Sequence, residues 1–446
     1  MEHSIETKFR KIISEIPHPD SLGLLKSIRE KEARSTHGQP PVIWDRAKGF
    51  QVFDKYGNTF LDFTSGVLVA NCGHSHPKVL EAITKSLENE LIFSYCFHNE
   101  ARERLLSKLR EVAPPELNTY YLLSTGAETT ETCIKLARTW GVKNGGKKKH
   151  VIISYENNFH GRTMGAQQIS GFPSAKEWIV NLDPGFKQVP FPDNIYCKEL
   201  SFDYFLKSLE KQHVSPGDVA GVMVETYQGG IVSFAPKEYI QDLRSWCDRN
   251  GVLLMFDEIQ AGFGRCGKWW GFEHYNVIPD LIAAGKGIGG GMPISAVIGK
   301  EEIMQQYGHG SMTTTFGGNP VSCAAAIAAI EVIQNENLVE NSEKMGKILL
   351  DELNDLYKIA PDNIRTIQGK GLVAGVHVKK KDSSEPDGEL AEKIVLNCVQ
   401  KGLLMFAPVG PGGATIKICP PLVINEEALT EGIGILKNAF RELTDE

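Results

Sequence analysis

A lysine enclosed by glycines is the residue of this sequence with the clearest potential for covalent chemistry. Lys286 follows the apolar run Asp280–Ala284 and stands between Gly285 and Gly287. Most lysines are solvated surface groups, but flanking glycines let another molecule approach the backbone closely. An amine held at a strand end can attack a carbonyl carbon. Lys286 is therefore a candidate nucleophile for a carbonyl cofactor, with a solvated lysine as the alternative.

The same stretch matches the letters of the dinucleotide-binding fingerprint through Gly285, Gly287 and Gly290. We give this match little weight, because a lone pattern of this kind is weak and Gly291-Met292-Pro293 is a poor start for a helix. No Walker A sequence occurs in the chain either. Neither nucleotide-binding loop is predicted.

A carboxylate is predicted at the end of another buried strand. The apolar run Val252–Phe256 continues directly into Asp257. Such a buried charge requires a partner. One suitable partner is the protonated ring nitrogen of pyridoxal phosphate (PLP), whose charge an adjacent carboxylate maintains so that the ring can accept electrons from the substrate. The alternative is an aspartate that caps the next helix.

A hydroxyl and a glycine mark the start of a predicted helix upstream. The segment Ser124–Glu128 lies where a strand gives way to the helical stretch Glu128–Trp140. Helix N-termini present unpaired N–H groups and a partial positive charge. The segment is therefore a candidate phosphate site, although helix capping without a ligand explains the same residues.

These candidates need a scaffold, and the middle of the chain has the pattern of one. From about residue 70 to residue 300, short apolar runs alternate with segments of helical period. This alternation is typical of a mostly parallel sheet covered by helices, in which chemistry gathers at the carboxyl ends of the strands. The predicted strands are Tyr120–Leu123, Val151–Ser154, Val219–Val224, Val252–Phe256, Leu281–Ala284 and Ile294–Ile298.

The pattern changes after an Ala-rich stretch, Val321–Ile333, which predicts a buried helix between two domains. A polar helix, Glu340–Tyr357, and separate strands indicate a smaller α+β domain. We expect an N-terminal segment at 1–69 that packs with the small domain, a large domain at 70–330 and the small domain at 331–446. The strands predicted in the small domain are Leu372–Val378, Leu403–Phe406 and Thr415–Ile418.

Composition and charge argue against several classes of protein. The 446 residues are 41% hydrophobic and carry a net charge of -7 without a long Lys/Arg run, so we expect a globular protein that does not bind nucleic acid. The nine cysteines form no Cys-x-x-Cys pair, which argues against a disulfide framework or a metal cluster. No signal peptide or membrane span is predicted, and a reducing cytoplasm fits best.

Seven stretches together resemble the class III (omega) aminotransferases, a branch of the fold-type I PLP enzymes. They stand in the family's order and cover most of the chain. The resemblance implies an α/β fold with a mostly parallel central sheet covered by helices, and a smaller domain built from the two chain ends. The stretches are Asp62–Gly66 with Gly73–Pro77, Thr125–Glu128, Phe159–Thr163, Glu225–Gly229, Phe256–Arg265, Gly285–Gly287 and Thr315–Pro320.

The resemblance also implies a role for each matched residue around the cofactor. Lys286 would form the internal Schiff base, Asp257 would pair with the pyridine nitrogen, and Gln260 would bond the phenolic oxygen. Phe159 would stack on the ring. Thr315 would reach the phosphate of the neighbouring subunit, so complete sites would require a homodimer or a dimer of dimers. The residues implied to bind the phosphate within the subunit are Thr125, Gly126 and Ala127.

The implied reaction is transamination. A substrate amine displaces Lys286, whose freed amine removes a proton from the substrate carbon as the general base. Reprotonation at the cofactor carbon and hydrolysis then release a carbonyl product and leave the amino group on the cofactor as pyridoxamine phosphate. A 2-oxo acid such as pyruvate or 2-oxoglutarate reverses the steps.

Two positions depart from the family pattern where carboxylates are commonly bound. Glu225 is followed by Thr226, where the family usually has proline, and Lys417 stands where many members have the arginine that grips the α-carboxylate. An ammonium cannot make the two parallel contacts of a guanidinium. Glu225 could still pair with Lys417 as a switchable gate.

Arg162 matches the arginine that binds the far acidic group of the substrate in several members of the family. Val67 lies where some relatives have a bulky residue, which leaves room in the pocket. We therefore expect an amine donor with a terminal amine and a distal carboxylate, sulfonate or phosphonate. An exposed structural Arg162 is the competing interpretation.

We consider two other functions as alternatives. Relatives with the same cofactor apparatus act as racemases or epimerases, or as lyases that eliminate phosphate or ammonia, because the protein decides the fate of the carbanion. A racemase or lyase would turn over without a 2-oxo acid. A non-catalytic PLP-binding regulator would be expected to lose Lys286 or Asp257 and to carry a DNA-reading module, and the sequence meets neither expectation.

Overall fold

A computed structural model describes residues 4–444 of the chain. Pro77–Glu336 forms one compact unit, here called the large unit. The described residues before and after it form a second compact unit, here called the small unit. Among the described residues, no helix combines the length and the apolar character that a membrane crossing requires.

The strands of both units are short. In chain order they are β1 Ile5–Glu6, β2 Lys11–Ile12, β3 Arg46–Lys48, β4 Gln51–Phe53, β5 Thr59–Asp62, β6 Thr119–Leu123, β7 Val151–Tyr155, β8 Phe186–Val189, β9 Val219–Glu225, β10 Leu253–Asp257, β11 Leu281–Ala284, β12 Ser295–Gly299, β13 Ile364–Lys370, β14 Val373–Val378, β15 Leu403–Leu404 and β16 Thr415–Ile418.

The α-helices vary from one turn to five. In chain order they are α1 Leu22–Lys31, α2 Ser65–Leu68, α3 Pro77–Glu88, α4 Glu100–Val112, α5 Gly126–Gly145, α6 Met164–Ile169, α7 Phe202–Lys211, α8 Lys237–Asn250, α9 Glu301–Met304, α10 Pro320–Asn335, α11 Leu338–Asn354, α12 Leu356–Ile359, α13 Gly388–Gln400 and α14 Glu426–Thr444.

The large unit is built on a seven-stranded sheet in the order β6-β12-β11-β10-β9-β7-β8. The pairs from β11 to β8 are parallel, whereas β12 is antiparallel to both of its neighbours. Every residue of β9, β10 and β11 is buried, as expected for central strands covered on both faces. The prediction of a mostly parallel sheet, with strands at the six predicted places, is confirmed.

Buried helices cover this sheet. α5 supplies Cys133, Leu136 and Ala137 to a core that also contains Met223 and Met255 of the central strands. α10 packs against α3 and α4, as the predicted buried helix. Its first turn is capped by the Asn319 side chain and begins with Pro320, whose missing N–H costs nothing at a helix start.

The small unit contains segments from both ends of the chain. β15 lies parallel to β5, with Leu403 opposite Leu61, so a C-terminal strand completes an N-terminal sheet. A separate antiparallel sheet has the order β13-β14-β16. Two predicted bounds were wrong here. The helix expected over Glu340–Tyr357 ends at Asn354 and restarts at Leu356, and the strand expected over Leu403–Phe406 ends at Leu404.

Candidate active site

The candidate lysine lies just past the end of a central strand. β11 ends at Ala284, and Lys286 follows with a φ of 45°, a left-handed conformation that is uncommon for a residue with a side chain. Burial lowers the pKa of Lys286, while the negative charges of Asp257 and Glu225 raise it. The net effect is a lowered pKa, which increases the fraction of neutral, nucleophilic amine.

The register of the sheet places two carboxylates beside this lysine. Asp257 ends β10 and pairs with Ala283 of β11 on one side and with Glu225 of β9 on the other. Both acids are buried, with 5% of Asp257 and 3% of Glu225 exposed. The carboxyl ends of three adjacent strands therefore bring an amine and two acids into one place, as expected for a parallel sheet.

Asp257 has hydrogen-bond partners within the protein. Its Oδ1 atom accepts from the N–H of Ile259 at 3.1 Å, and its Oδ2 atom lies 2.7 Å from Nδ1 of His160. The alternative that Asp257 caps the next helix is wrong, because residues 258–270 form turns and no α-helix begins there. The buried aspartate is thus fixed by a turn and by a histidine.

His160 was not among the predicted site residues, and a chain of buried polar groups extends beyond it. Its Nε2 atom lies 3.2 Å from the Asn158 amide nitrogen, and the Asn158 amide oxygen accepts from Gln228 at 2.5 Å. The Gln228 oxygen accepts from the Ser233 hydroxyl at 3.0 Å. The sequence signal was available, since His160 belongs to the stretch Phe159–Thr163 and a buried acid requires a partner.

Glu225 is held by backbone donors. Its Oε2 atom accepts from the N–H of Phe159 at 2.9 Å, and its Oε1 atom accepts from the N–H of Gly229 at 3.0 Å. Burial raises the pKa of Glu225 to about 7, with a further increase from the charge of Asp257 and a decrease from His160. Glu225 therefore ties the loop that follows β7 to the loop that follows β9.

Gln260 lies against a glycine that leaves room for its amide. A β-carbon at Gly229 would overlap the Gln260 amide group, so the absence of a side chain here leaves the space that the amide occupies. The Tyr227 hydroxyl lies 3.3 Å from Oε1 of Gln260 and donates to it. The Gln260 Oε1 atom is thus the acceptor of this contact, and its NH₂ group is the donor end of the amide.

The predicted phosphate segment is the N-terminus of α5. The Thr125 hydroxyl accepts from the N–H of Glu128 at 3.3 Å, and the Glu128 carboxylate accepts from the N–H groups of Ser124 and Thr125 at 2.8 Å. Helix capping by Thr125 is therefore present. Gly126 and Ala127 are the first two residues of the helix, whose N–H groups lack intrahelical partners by geometry. Together with the helix dipole they favour an anion at this end.

A cavity of about 250 Å³ is lined by residues from each of the segments described above. Arg162 also borders it, with its guanidinium carbon 5.1 Å from the centre of the Phe159 ring. A cation above an aromatic face is attracted by the ring. The residues that line the cavity are Gly126, Ala127, Phe159, His160, Gly161, Arg162, Glu225, Asp257, Ile259, Gln260 and Lys286.

The remaining predicted residues are not among those that line this cavity. Thr315 is exposed on the segment before α10 and is not part of the cavity lining. Val67 and Lys417 belong to the small unit, Val67 in α2 and Lys417 in β16. Lys417 is buried, whereas Val67 is 52% exposed. All four residues of α2, Ser65–Leu68, have positive φ, so this single turn is left-handed.

The chemistry of the lining suits PLP. A buried carboxylate matches a ring nitrogen that carries a proton, and an amine of lowered pKa matches an aldehyde. A helix N-terminus matches a phosphate, and an aromatic ring offers a stacking face. The cavity thus contains a complementary group for each functional part of the cofactor.

Comparisons with known proteins agree with this set of groups. Residues 33–440 match the aminotransferase class-III family. An acetylornithine aminotransferase from Methanopyrus kandleri is 34% identical over 93% of this chain and 98% of its own length. A 4-aminobutyrate aminotransferase from Mycobacterium leprae is 33% identical over 96% of this chain and 97% of its own length.

The fold agrees as well. The crystal structure of an ornithine aminotransferase from Toxoplasma gondii superposes with a TM-score of 0.84 at 28% identity, and 95% of each chain is covered. The similarity extends over nearly the whole sequence, both in the family match and in the solved structure. The chain therefore belongs to the class III aminotransferases, fold-type I enzymes that use pyridoxal phosphate to move an amino group from an amine donor to a 2-oxo acid.

Proposed function

We propose that this aminotransferase takes its amino group from a donor with a terminal amine and a distal anionic group, and passes it to a 2-oxo acid such as pyruvate or 2-oxoglutarate. The observation that carries the proposal is that the Arg162 guanidinium and the Lys286 amine border the same cavity. A guanidinium can bind a carboxylate, sulfonate or phosphonate through two parallel hydrogen bonds. Relatives named for acetylornithine and 4-aminobutyrate give independent support.

Four groups would hold the cofactor within the subunit. Asp257 would pair with the ring nitrogen, and the Gln260 NH₂ group would donate to the phenolic oxygen. The N–H groups of Gly126 and Ala127 would bind the phosphate, with Thr125 fixing the helix end. Phe159 would cover one face of the ring. When bound, PLP supplies an aldehyde for the amine and a ring that withdraws electrons from the substrate carbon.

Lys286 would act at its Nζ atom, first as the amine that links the cofactor to the protein and then as the base that moves the substrate proton. Its lowered pKa favours both roles, because each requires a neutral amine. Lys286→Ala should abolish the visible absorption of the bound cofactor and turnover. Lys300→Ala is the control, since Lys300 pairs with Asp280 at 2.6 Å beyond the other end of β11. Normal turnover of Lys286→Ala would refute the assignment.

The donor class can be tested with two amines that differ only in the anion. With 4-aminobutyrate, Arg162→Ala should raise KM by roughly tenfold to a hundredfold, the effect of losing a charge-assisted pair. With n-butylamine, which has no anion, KM should stay unchanged. Arg162→Lys should recover part of the loss for 4-aminobutyrate. An unchanged apparent affinity of Arg162→Ala for every anionic donor would contradict the proposal.

We also propose that the enzyme assembles as a homodimer or a dimer of dimers in which Thr315 binds the cofactor phosphate of the neighbouring subunit. Support comes from large apolar side chains exposed near Thr315. Phe316 is 64% exposed and lies 5.7 Å from the Phe93 ring, and Ile92 is 63% exposed. An exposed apolar cluster of this kind is typical of a protein interface. Phe316→Glu should therefore give monomers in sedimentation, whereas a dimer of unchanged stability would argue against this surface.

Subunit mixing tests the role of Thr315. Lys286→Ala alone should be inactive, and Thr315→Ala alone should bind the cofactor weakly. A mixed dimer would contain one site with both Lys286 and Thr315 intact, so activity should exceed that of either parent. If the mixture is no more active than the Thr315→Ala parent, Thr315 acts within its own subunit or not at all. The substrate-binding roles of Val67, Glu225 and Lys417 stay predictions.

A further inference from the structure

Several hydrogen bonds hold the backbone on both sides of Arg162. At its start, Glu225 accepts the N–H of Phe159 at 2.9 Å. In its middle, the Thr130 hydroxyl donates to the carbonyl of His160 at 2.8 Å. These bonds fix the backbone just before Arg162. The direction of the Arg162 side chain therefore depends also on what fixes the backbone just after it.

That second anchor is one carboxylate of α5. The Oε1 atom of Glu131 accepts from the Thr163 hydroxyl at 2.6 Å, from the N–H of Gly165 at 2.8 Å and from the N–H of Ala166 at 3.0 Å. A β-carbon at Gly165 would overlap the Glu131 carboxylate, so the close contact requires glycine. Glu131 thus accepts from three donors within the four residues that follow Arg162.

This contact is needed because α6 is short. Six residues form less than two turns, and an isolated helix of this length is not stable in water. The Thr163 hydroxyl donates to Glu131 instead of capping its own helix, so Glu131 provides the acceptor for the N–H groups at the helix start. Without this acceptor, the first turn of α6 would loosen and Arg162 would lose its fixed position.

We propose that Glu131 is the positioning residue that aims Arg162 at the distal anion of the donor. This inference rests on the proposed function of Arg162 and deepens it. Glu131 acts through the backbone of residues 163–166 and is absent from the cavity lining. Its loss should therefore affect the binding of anionic donors and spare the chemistry at Lys286.

The test uses the holoenzyme with 4-aminobutyrate and n-butylamine. Glu131→Ala should raise KM for 4-aminobutyrate by roughly tenfold while kcat changes by less than about twofold, because misplacing a binding group weakens substrate binding more than the chemical step. Kinetics with n-butylamine should be unchanged. Glu131→Gln keeps the Oε1 acceptor and should recover most of the loss. Glu210→Ala, a carboxylate removed from the exposed side of α7, should leave both donors unaffected.

Gly165→Ala provides a second route to the same defect. Its methyl group would displace the Glu131 carboxylate, while alanine favours the helix, so the fold is retained even if Glu131→Ala does not fold. We expect the same selective rise in KM for 4-aminobutyrate. An equal loss with both donors, or an unchanged KM in Gly165→Ala, would overturn the inference.

The proposed role of Arg162 and the proposed role of Glu131 can be refuted separately. If Arg162→Ala does not discriminate between the donors, the proposed function is wrong. If Arg162→Ala discriminates but Glu131→Ala and Gly165→Ala do not, the proposed function stands and only the role of Glu131 is wrong.

Discussion

Nδ1 of His160 lies 2.7 Å from Oδ2 of Asp257, and both side chains are buried. Because a carboxylate only accepts, Nδ1 carries the proton. The other ring nitrogen faces the Asn158 amide NH₂ group, which donates to it. These two partners match the tautomer that carries its proton on Nδ1. His160 therefore orients Asp257 through a hydrogen bond between two buried side chains.

Asn158→Asp should disturb this arrangement while preserving shape. A carboxylate at position 158 would accept from His160 and favour the doubly protonated, cationic imidazole, which competes for the charge of Asp257. We expect kcat to fall by roughly tenfold, with an altered pH dependence of the cofactor absorption. Asn157→Asp places the same charge one residue away and serves as the control. Identical pH profiles for both variants and the wild type would mean that Asn158 does not govern His160.

Gly229→Ala should affect function with little loss of stability. The new methyl group would meet the end of the flexible Gln260 side chain, which can move away at small cost. The amide would then leave the position from which we propose that it donates to the cofactor. We expect weaker PLP binding and a shifted absorption maximum at a nearly unchanged melting temperature. Gly217→Ala is the control, because its β-carbon would meet nothing closer than the Ser215 hydroxyl at 3.6 Å. A wild-type spectrum for Gly229→Ala would contradict this role of Gln260.

Glu225 should make stability depend on pH. Burial raises its pKa from 4.5 to about 7, so between these values the unfolded chain gives up a proton that the native protein keeps. Stability from this group therefore falls as pH rises through that window. Glutamine cannot titrate. In cofactor-free protein, the free energy of unfolding of Glu225→Gln relative to the wild type should increase from pH 4.5 to pH 7 and then level off. Denaturant titrations that show a constant difference would argue against the raised pKa.

Thr226, where the family usually has proline, contributes to a buried hydrogen-bond cluster. Its hydroxyl donates to Glu258, whose carboxylate also accepts from the N–H groups of Gly271 and Phe272 at 2.8 and 2.9 Å. Thr226→Val keeps the shape but removes one donor from a buried carboxyl group. We expect a loss of about 1–3 kcal/mol in the free energy of unfolding. Ser245→Ala, on the exposed side of α8, should change it by less than about 0.5 kcal/mol. A loss no larger than that of the control would mean that Glu258 is satisfied without Thr226.

Local sequence signals were sufficient to find the main strands and the residues at their ends. Lys286 and Asp257 each follow an apolar run, and those runs are β11 and β10. Their proximity also follows from a general rule, since parallel strands present their carboxyl ends at one edge. A charged residue at the end of an apolar run was therefore sufficient to predict Lys286 and Asp257 as site residues.

The partners of those residues could not be predicted in the same way. His160 and Asp257 are 97 residues apart, and their contact depends on the order β10-β9-β7 in the sheet. Strand order is a property of the whole fold and cannot be inferred from a short stretch of sequence. The same is true of Glu131 and Gly165, which meet only because α5 packs against α6. Helix and strand ends such as Asn354 were missed for a local reason, since composition changes little there.

The left-handed turn at Ser65–Leu68 has a consequence for the proposed substrate-binding position 67. A β-branched residue with a φ of 65° is strained by roughly 1–2 kcal/mol, and half of its side chain is exposed. Replacement by asparagine or glycine would relieve that strain with little packing to lose. Many substitutions that change the substrate preference of an enzyme lower its stability. These replacements at position 67 would instead raise the free energy of unfolding.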